Sequence, residues 1–217
     1  MPRTGLVIFD LDGTLFRADL ATVGSVRWAC REFGLPTPGD ADIVQFIGRP
    51  SSDFYAWLRT LCPPAMAAEF VSAVDGAERR LTAEAGRLYP EIHPVLTELR
   101  TSVGKLALCT NGRQEYVETV LRAHHLAPFF AAVRYRQTEA DNKPGMVRDL
   151  LAQLHDRPAI MVGDRQMDIE AAHKNDIRAI GAAYGYGSAQ ELSDADALAA
   201  TPTELPALVQ RLLRRQK

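Results

Sequence analysis

Apolar runs and helical stripes alternate along the chain. Leu6-Val7-Ile8-Phe9 places four apolar residues in a row, with β-branched Val7 and Ile8 among them, the pattern of a strand buried on both faces of a parallel sheet. It stops at Asp10-Leu11-Asp12-Gly13-Thr14, and the period then becomes helical. Leu20, Val23, Val26, Trp28, Cys30 and Phe33 share one helix, with Asp19 placed to cap it and Gly34 to close it. After a turn over Leu35 to Asp40, Ile43, Val44, Phe46 and Ile47 predict a short helix ending at Gly48-Arg49-Pro50. Phe54, Tyr55, Trp57, Leu58 and Leu61 predict another, stopped by Pro63-Pro64. A longer helix through residue 85 carries Met66, Phe70, Val74 and Leu81. No strand pattern lies between residues 16 and 100, so residues 16–85 read as a helical subdomain inserted after the first strand.

Beyond the return linker Arg87-Leu88-Tyr89-Pro90, strands and helices of 10–15 residues alternate. The pattern predicts helix 91–102, a strand from Lys105 to Cys109 ending at Thr110-Asn111-Gly112, helix 113–124 and a short strand at Ala131-Ala132-Val133. A helix from Lys143 to Leu154 follows, with Pro144 in its first turn. Next come a strand at Ala159 to Val162 ending at Gly163-Asp164, helix 166–175, strand 177–181 and an amphipathic helix from Pro202 to Leu213. This is the signature of an α/β protein with a doubly wound parallel sheet, its core domain built from residues 1–15 and 86–217.

Composition narrows the function classes. The 217 residues are 47% hydrophobic and 24% charged, an ordinary globular balance with ample material for a core. A net charge of −2 leaves no electrostatic footprint for nucleic acid or an anionic membrane, and no apolar run approaches a spanning helix. No secretory or transit segment is apparent. Cys30, Cys62 and Cys109 are widely spaced and form no metal-ligand pattern, which suits a reduced cytoplasmic setting. Arginine supplies nearly all the basic residues; lysine occurs only at 105, 143, 174 and 217.

Three apolar strands end in polar clusters: Asp10/Asp12, Thr110/Asn111 and Asp164. In a parallel sheet these ends share one edge, the crevice where such sheets bind ligands. Asp10 and Asp12 repel each other unless a cation or divided acid and base roles offset them, although alone they also fit an Asp-rich turn. Carboxylates, a hydroxyl, an amide and the Lys143 ammonium together suit a phosphoryl group with a hard divalent cation. On these residues the chain resembles the haloacid dehalogenase (HAD) superfamily, specifically its phosphatases with an inserted helical cap. The matching segments are Asp10-Leu11-Asp12-Gly13-Thr14, Thr110-Asn111-Gly112, Lys143-Pro144 and Gly163-Asp164-Arg165-Gln166-Met167-Asp168.

The resemblance implies roles. Asp10 is the nucleophile that forms an aspartyl-phosphate, and Asp12 the general acid and then base. Mg²⁺ is held by Asp10, the Asp12 carbonyl and Asp164; Thr110 and Asn111 bond the phosphoryl oxygens or orient Asp10; Lys143 offsets negative charge. Asp168 holds a metal-bound water or orients Lys143, or is simply an acid at a helix start. An acid two residues after the nucleophile points to phosphate rather than halide, and the absence of lysine before residue 105 removes the cap lysine that phosphonatases and β-phosphoglucomutases use. A small phosphate ester remains, with phosphoglycolate favoured because Arg49 is placed to pair with its carboxylate. Nucleotides, sugar phosphates and pyrophosphate stay open, as do phosphoryl transfer to another acceptor and a catalytically silent binding role. Tyr184-Gly185-Tyr186-Gly187 reads as a loop, with rim contacts to the active site as the alternative; Arg165, Cys109 and the five histidines read as structural.

Overall fold

Strand β1 (Gly5–Phe9) lies at the middle of a six-stranded, all-parallel sheet in a computed structural model that describes residues 5–214. Residues 1–4 and 215–217, at the two ends of the predicted core domain, lie outside the described residues. On one side β1 pairs with β4 (Gly104–Thr110), which pairs with β5 (Ala132–Tyr135). On the other it pairs with β6 (Ala159–Gly163), followed by β7 (Arg178–Ala182) and β8 (Ala197–Ala199). The chain crosses from one side of β1 to the other after β5, so the switch point of the topology lies at the tip of β1.

The continuous apolar runs are explained by cover on both faces. Val7 and Phe9 point into one cluster with Leu106, Leu108, Ile160 and Val162, closed by helices Ile92–Ser102, Gln114–Ala123 and Leu205–Arg214. Leu6 and Ile8 point into the other with Cys109 and Met161, under Lys143–Leu154 and Gln166–His173. All four β1 side chains from Leu6 to Phe9 are fully buried, and Cys109 is in the core as predicted.

The segment after β1 forms helices α1 (Asp19–Glu32), α2 (Asp40–Val44), α3 (Ser51–Thr60) and α4 (Ala67–Glu84), the last preceded by a 3₁₀ turn at Pro64–Met66. They enclose their own apolar cluster of Val26, Cys30, Ile43, Phe54, Leu58, Phe70 and Val74. Three expectations need correction. Residues 16–100 do contain strand: Phe16–Arg17 (β2) and Arg87–Leu88 (β3) pair antiparallel where the chain enters and leaves the helical layer. Two residues each leave no period to read. β8, three residues long, escaped for the same reason. Asp19 is the first helical residue rather than the cap, because its carboxylate is taken by Arg17 and by the Tyr186 hydroxyl. Among the described residues, no helix is long and apolar enough to cross a membrane.

Candidate active site

The tips of β4, β1 and β6 are neighbours, so Thr110, Asp10 and Asp164 converge although about 150 residues separate the first motif from the last. Asp10 continues β1, its N–H donating to the Val162 carbonyl (2.8 Å). Lys143 opens its helix behind Asn142, whose side-chain oxygen caps the Gly145 N–H (3.0 Å). That cap aims the lysine at the strand tips, and its Nζ contacts Asp10 Oδ1 (2.5 Å) and Asp168 Oδ1 (2.9 Å). Asp168 Oδ2 accepts the Arg165 N–H (3.1 Å), while its buried Oδ1 has the Lys143 ion pair but no aligned hydrogen bond. Asp168 therefore touches Lys143 directly, the contact that an orienting role requires.

Carboxylate oxygens of Asp10, Asp164 and Asp168 lie within 4.8 Å of one another, all three residues buried. Burial pushes Asp10 well above the usual carboxylate range; Lys143 opposes this, while Asp168, Asp164 and Asp12 add to it. Burial and then Asp168 push Asp164 up to about 7. Lys143 is held above its ordinary value because the attraction of the two carboxylates outweighs burial, which alone would lower it. Asp164 Oδ2 accepts the Tyr186 N–H (2.7 Å), whereas its buried Oδ1 has no hydrogen-bond partner. An orphaned carboxylate oxygen in a cluster with more acids than cations fits a divalent cation with oxygen ligands. Gly13, at φ +81°, brings its backbone against the Asp164 carboxylate where a Cβ would collide.

Asp12 faces the other way. Its Oδ1 accepts the Tyr116 hydroxyl (2.5 Å), and its carboxylate borders a cavity of about 150 Å³ between the sheet edge and helices α1–α4. Burial pushes Asp12 up to about 6, against the pull of Tyr116 and Lys143. A carboxyl poised there exchanges a proton near neutral pH. Arg49 lines the same cavity from its exposed rim. Thr110 is buried and its hydroxyl accepts the Gly112 N–H (3.1 Å), fixing the turn after β4. Asn111 donates to the Gly48 carbonyl of the helical layer (3.0 Å) and to Met167 Sδ (2.9 Å).

Two groups were undervalued in the sequence. Arg165, only 4% exposed, reaches from the core to the helical layer: Nε donates to the Ile47 carbonyl (3.1 Å), and Nη2 donates to those of Gln45 (2.8 Å) and Ile47 (2.9 Å). Its Nη1 pairs with Glu191 (3.2 Å). Residues 184–187 do more than turn the chain. The Tyr184 hydroxyl donates to the Thr14 carbonyl (2.9 Å), and the Tyr186 hydroxyl donates to Asp19 Oδ1 (2.7 Å) at the start of α1. Nothing in the local sequence marks these partners, since they lie on distant elements. Tyr116 lies within the predicted helix 113–124, and nothing in the sequence singles it out. Replacing Arg165 with Met is expected to raise amide exchange at residues 45–49 by about tenfold or more, the scale of a lost charge-assisted hydrogen bond. Unchanged exchange there would show that Arg165 does not hold the layer closed.

A parallel sheet carrying clustered acids and one buried lysine at its switch point, under a helical layer, is an α/β architecture whose edge suits a phosphoryl group with a divalent cation. A sequence model described as haloacid dehalogenase-like hydrolase matches residues 7–182, and the chain belongs to that family. It is a phosphatase-type enzyme within it. It is 30% identical over 209 residues to a phosphoglycolate phosphatase of Vibrio cholerae, covering 90% of this chain and 92% of that protein. It is also 30% identical over 188 residues to the tyrosine-protein kinase PtkA of Mycobacterium tuberculosis, covering 85% of this chain but 64% of that one. A solved structure titled as a predicted phosphoglycolate phosphatase from Haemophilus somnus superposes with a TM-score of 0.86 at 24% identity, over 97% of this chain and all of that one.

Proposed function

We propose that the protein is a Mg²⁺-dependent phosphomonoester hydrolase that works through a phosphorylated Asp10. The observation that carries this reading is the division of labour at the tip of β1. Asp10 has Lys143 on one oxygen beside the carboxylate cluster, while Asp12 opens on the cavity. Asp10 attacks phosphorus, the ester P–O bond breaks, and Asp12 gives its proton to the departing oxygen. Asp12 then takes a proton from water as that water attacks phosphorus; the bond to Asp10 breaks and phosphate leaves. Asp10, the Asp12 carbonyl and Asp164 would hold Mg²⁺, which when bound supplies charge neutralisation for the phosphoryl group. Lys143 favours the ionised form of Asp10 against burial, and Asp168 keeps Lys143 in place. Thr110 and Asn111 shape the phosphoryl side; Arg49 serves substrate from the cavity rim. Residues 16–85 form the cap over a core of residues 1–15 and 86–217. Three free cysteines suit a cytoplasmic setting.

The test is phosphate release from a panel of phosphomonoesters with Mg²⁺ and with chelator. Phosphoglycolate is the reference ester, because the Vibrio relative carries its name and Arg49 reaches the cavity; nucleotides, sugar phosphates and pyrophosphate complete the set. Release that chelator leaves intact would overturn the metal-dependent reading. Phosphoryl transfer to an acceptor other than water is a second reading, favoured by the relative named as a kinase; added alcohol or tyrosine acceptors that divert phosphate from water would establish it. Metal binding has its own readout. Mg²⁺ at a hundredfold excess over its Kd should stabilise the fold by about 2.7 kcal/mol, and Asp164→Asn should remove most of that gain. An equal thermal shift in the variant would argue against Asp164 as a ligand.

A further inference from the structure

The cavity beside Asp12 carries chemistry that the hydrolysis reaction does not use. On the core side it is bounded by Asp12 and Tyr116; on the helical side α1 and α4 supply Thr22, Asp75 and Glu78, and α3 supplies Tyr55. The Thr22 hydroxyl donates to Glu78 Oε1 (2.6 Å) and the Tyr55 hydroxyl to Asp75 Oδ1 (2.9 Å), as Tyr116 does to Asp12. These three hydroxyl protons therefore point at carboxylates, so the part of the wall beside Asp12, at Thr22 and Glu78, presents hydroxyl and carboxylate lone pairs, while Ser51, Asn111 and three arginines bring donors elsewhere on the lining. Glu78 is close enough to Asp12 for their charges to repel: burial pushes Glu78 up to about 7 against the pull of Thr22, and Asp75 and Asp12 add to the rise.

Cations are present but largely matched. Arg79 and Arg113 lie where their charges stabilise the Asp75 carboxylate, and Arg113 also sits over the Tyr55 ring at 4.6 Å. Arg49 alone of the three lining arginines faces no such acid, and it is exposed at the rim. A leaving oxygen must reach Asp12 to be protonated, so the first atoms of the leaving group meet the acceptor wall before the rim.

We infer that this cavity selects a leaving group that presents hydrogen-bond donors, hydroxyl or ammonium, with Glu78 as the specificity-determining acceptor, so that a phosphorylated polyol or amino alcohol is turned over in preference to phosphoglycolate. The inference rests on the phosphomonoester hydrolase reading above and names its substrate class. Size agrees: about 150 Å³ is the volume that accommodates a benzene-sized guest, roughly six heavy atoms, which matches glycerol. A carboxylate one carbon from the ester oxygen would instead set acceptor-only oxygens against the Glu78 and Thr22 oxygens and leave their lone pairs without donors. Sites built to hydrogen-bond a substrate group reject analogues lacking it more strongly than apolar pockets reject a change in size.

The experiment compares kcat/KM for glycerol phosphate, phosphoethanolamine and phosphoglycolate, with Mg²⁺, for the wild-type protein and Glu78→Gln. Acetyl phosphate, a mixed anhydride rather than an ester, serves as a phosphoryl donor whose leaving group is small and lacks hydrogen-bond donors. At least one donor-bearing ester should exceed phosphoglycolate by about tenfold or more in the wild type, and Glu78→Gln should shrink that ratio by a similar factor, the scale of one hydrogen bond to a charged group. Which of the two donor esters leads decides between hydroxyl and ammonium. Phosphoglycolate leading in the wild type, or a ratio unchanged by Glu78→Gln, would overturn the inference while leaving the hydrolase reading intact. No release from any of the four while a nucleotide, sugar phosphate or pyrophosphate is hydrolysed would overturn the inference alone; no release from any compound of either set would overturn the hydrolase reading with it. Should the variant not fold, product inhibition of the wild type decides: glycerol or ethanolamine inhibiting more strongly than glycolate supports the acceptor wall, and the reverse order refutes it.

Discussion

Asp10→Asn is expected to reduce phosphate release by about a thousandfold or more, because removing a nucleophile acts on that scale even when binding survives. The substitution keeps shape, and its side-chain oxygen still faces the Lys143 ammonium that contacts Asp10 Oδ1 at 2.5 Å. It also removes one charge from a buried group in which Asp12, Asp164 and Asp168 all push the Asp10 carboxylate up. Folding stability should therefore hold or rise while activity disappears, and a thermal melt beside the activity assay separates the two. A variant that loses activity together with its fold would say nothing for a nucleophile. One that keeps activity would contradict the role.

Lys143→Met should be damaging in both respects. Lys143 is 3% exposed and pairs with two buried carboxylates, so its loss leaves Asp10 and Asp168 facing each other without compensation. Breaking a buried pair from one side costs about 3–5 kcal/mol, readable as a lower urea midpoint at constant m. Activity should fall by at least about a hundredfold, since the ammonium offsets charge as carboxylate meets phosphate. Asp10→Asn on top of Lys143→Met should recover part of the lost stability, because it removes one of the stranded charges. Equal or greater destabilisation in the double variant would contradict electrostatic coupling between the two residues.

How much was legible in sequence follows from how far each signal reaches. β1, β4 and β6 announce themselves because strands buried on both faces must be apolar throughout, and each ends abruptly in the polar residues that need an exposed edge. The helix from Lys143 to Leu154 is legible to the residue from Pro144 in its first turn, and the Asn142 cap that fixes its start is seen only in the structure. β2 and β3 were invisible because two-residue strands owe their pairing to the chain crossing itself, not to their own side chains. Among site residues, Asp10, Asp12, Lys143 and Asp164 could be named from strand ends and the family resemblance. Arg165, Tyr116, Tyr186 and Glu78 could not, because their partners come from elements brought together only by the fold. Arg165 did read as structural, and it is: the missing knowledge was that it ties the core to carbonyls at residues 45 and 47.

The central claim is a covalent bond between phosphorus and Asp10, and it can be measured directly. The protein is mixed with an ester it hydrolyses and Mg²⁺, quenched in acid within one turnover, digested and analysed by mass spectrometry. One added phosphoryl group on the peptide containing Asp10, absent from Asp10→Asn and lost on treatment with hydroxylamine, is the result predicted. Phosphate release at full rate with that peptide never modified, or the phosphoryl group found on another residue, would contradict the account.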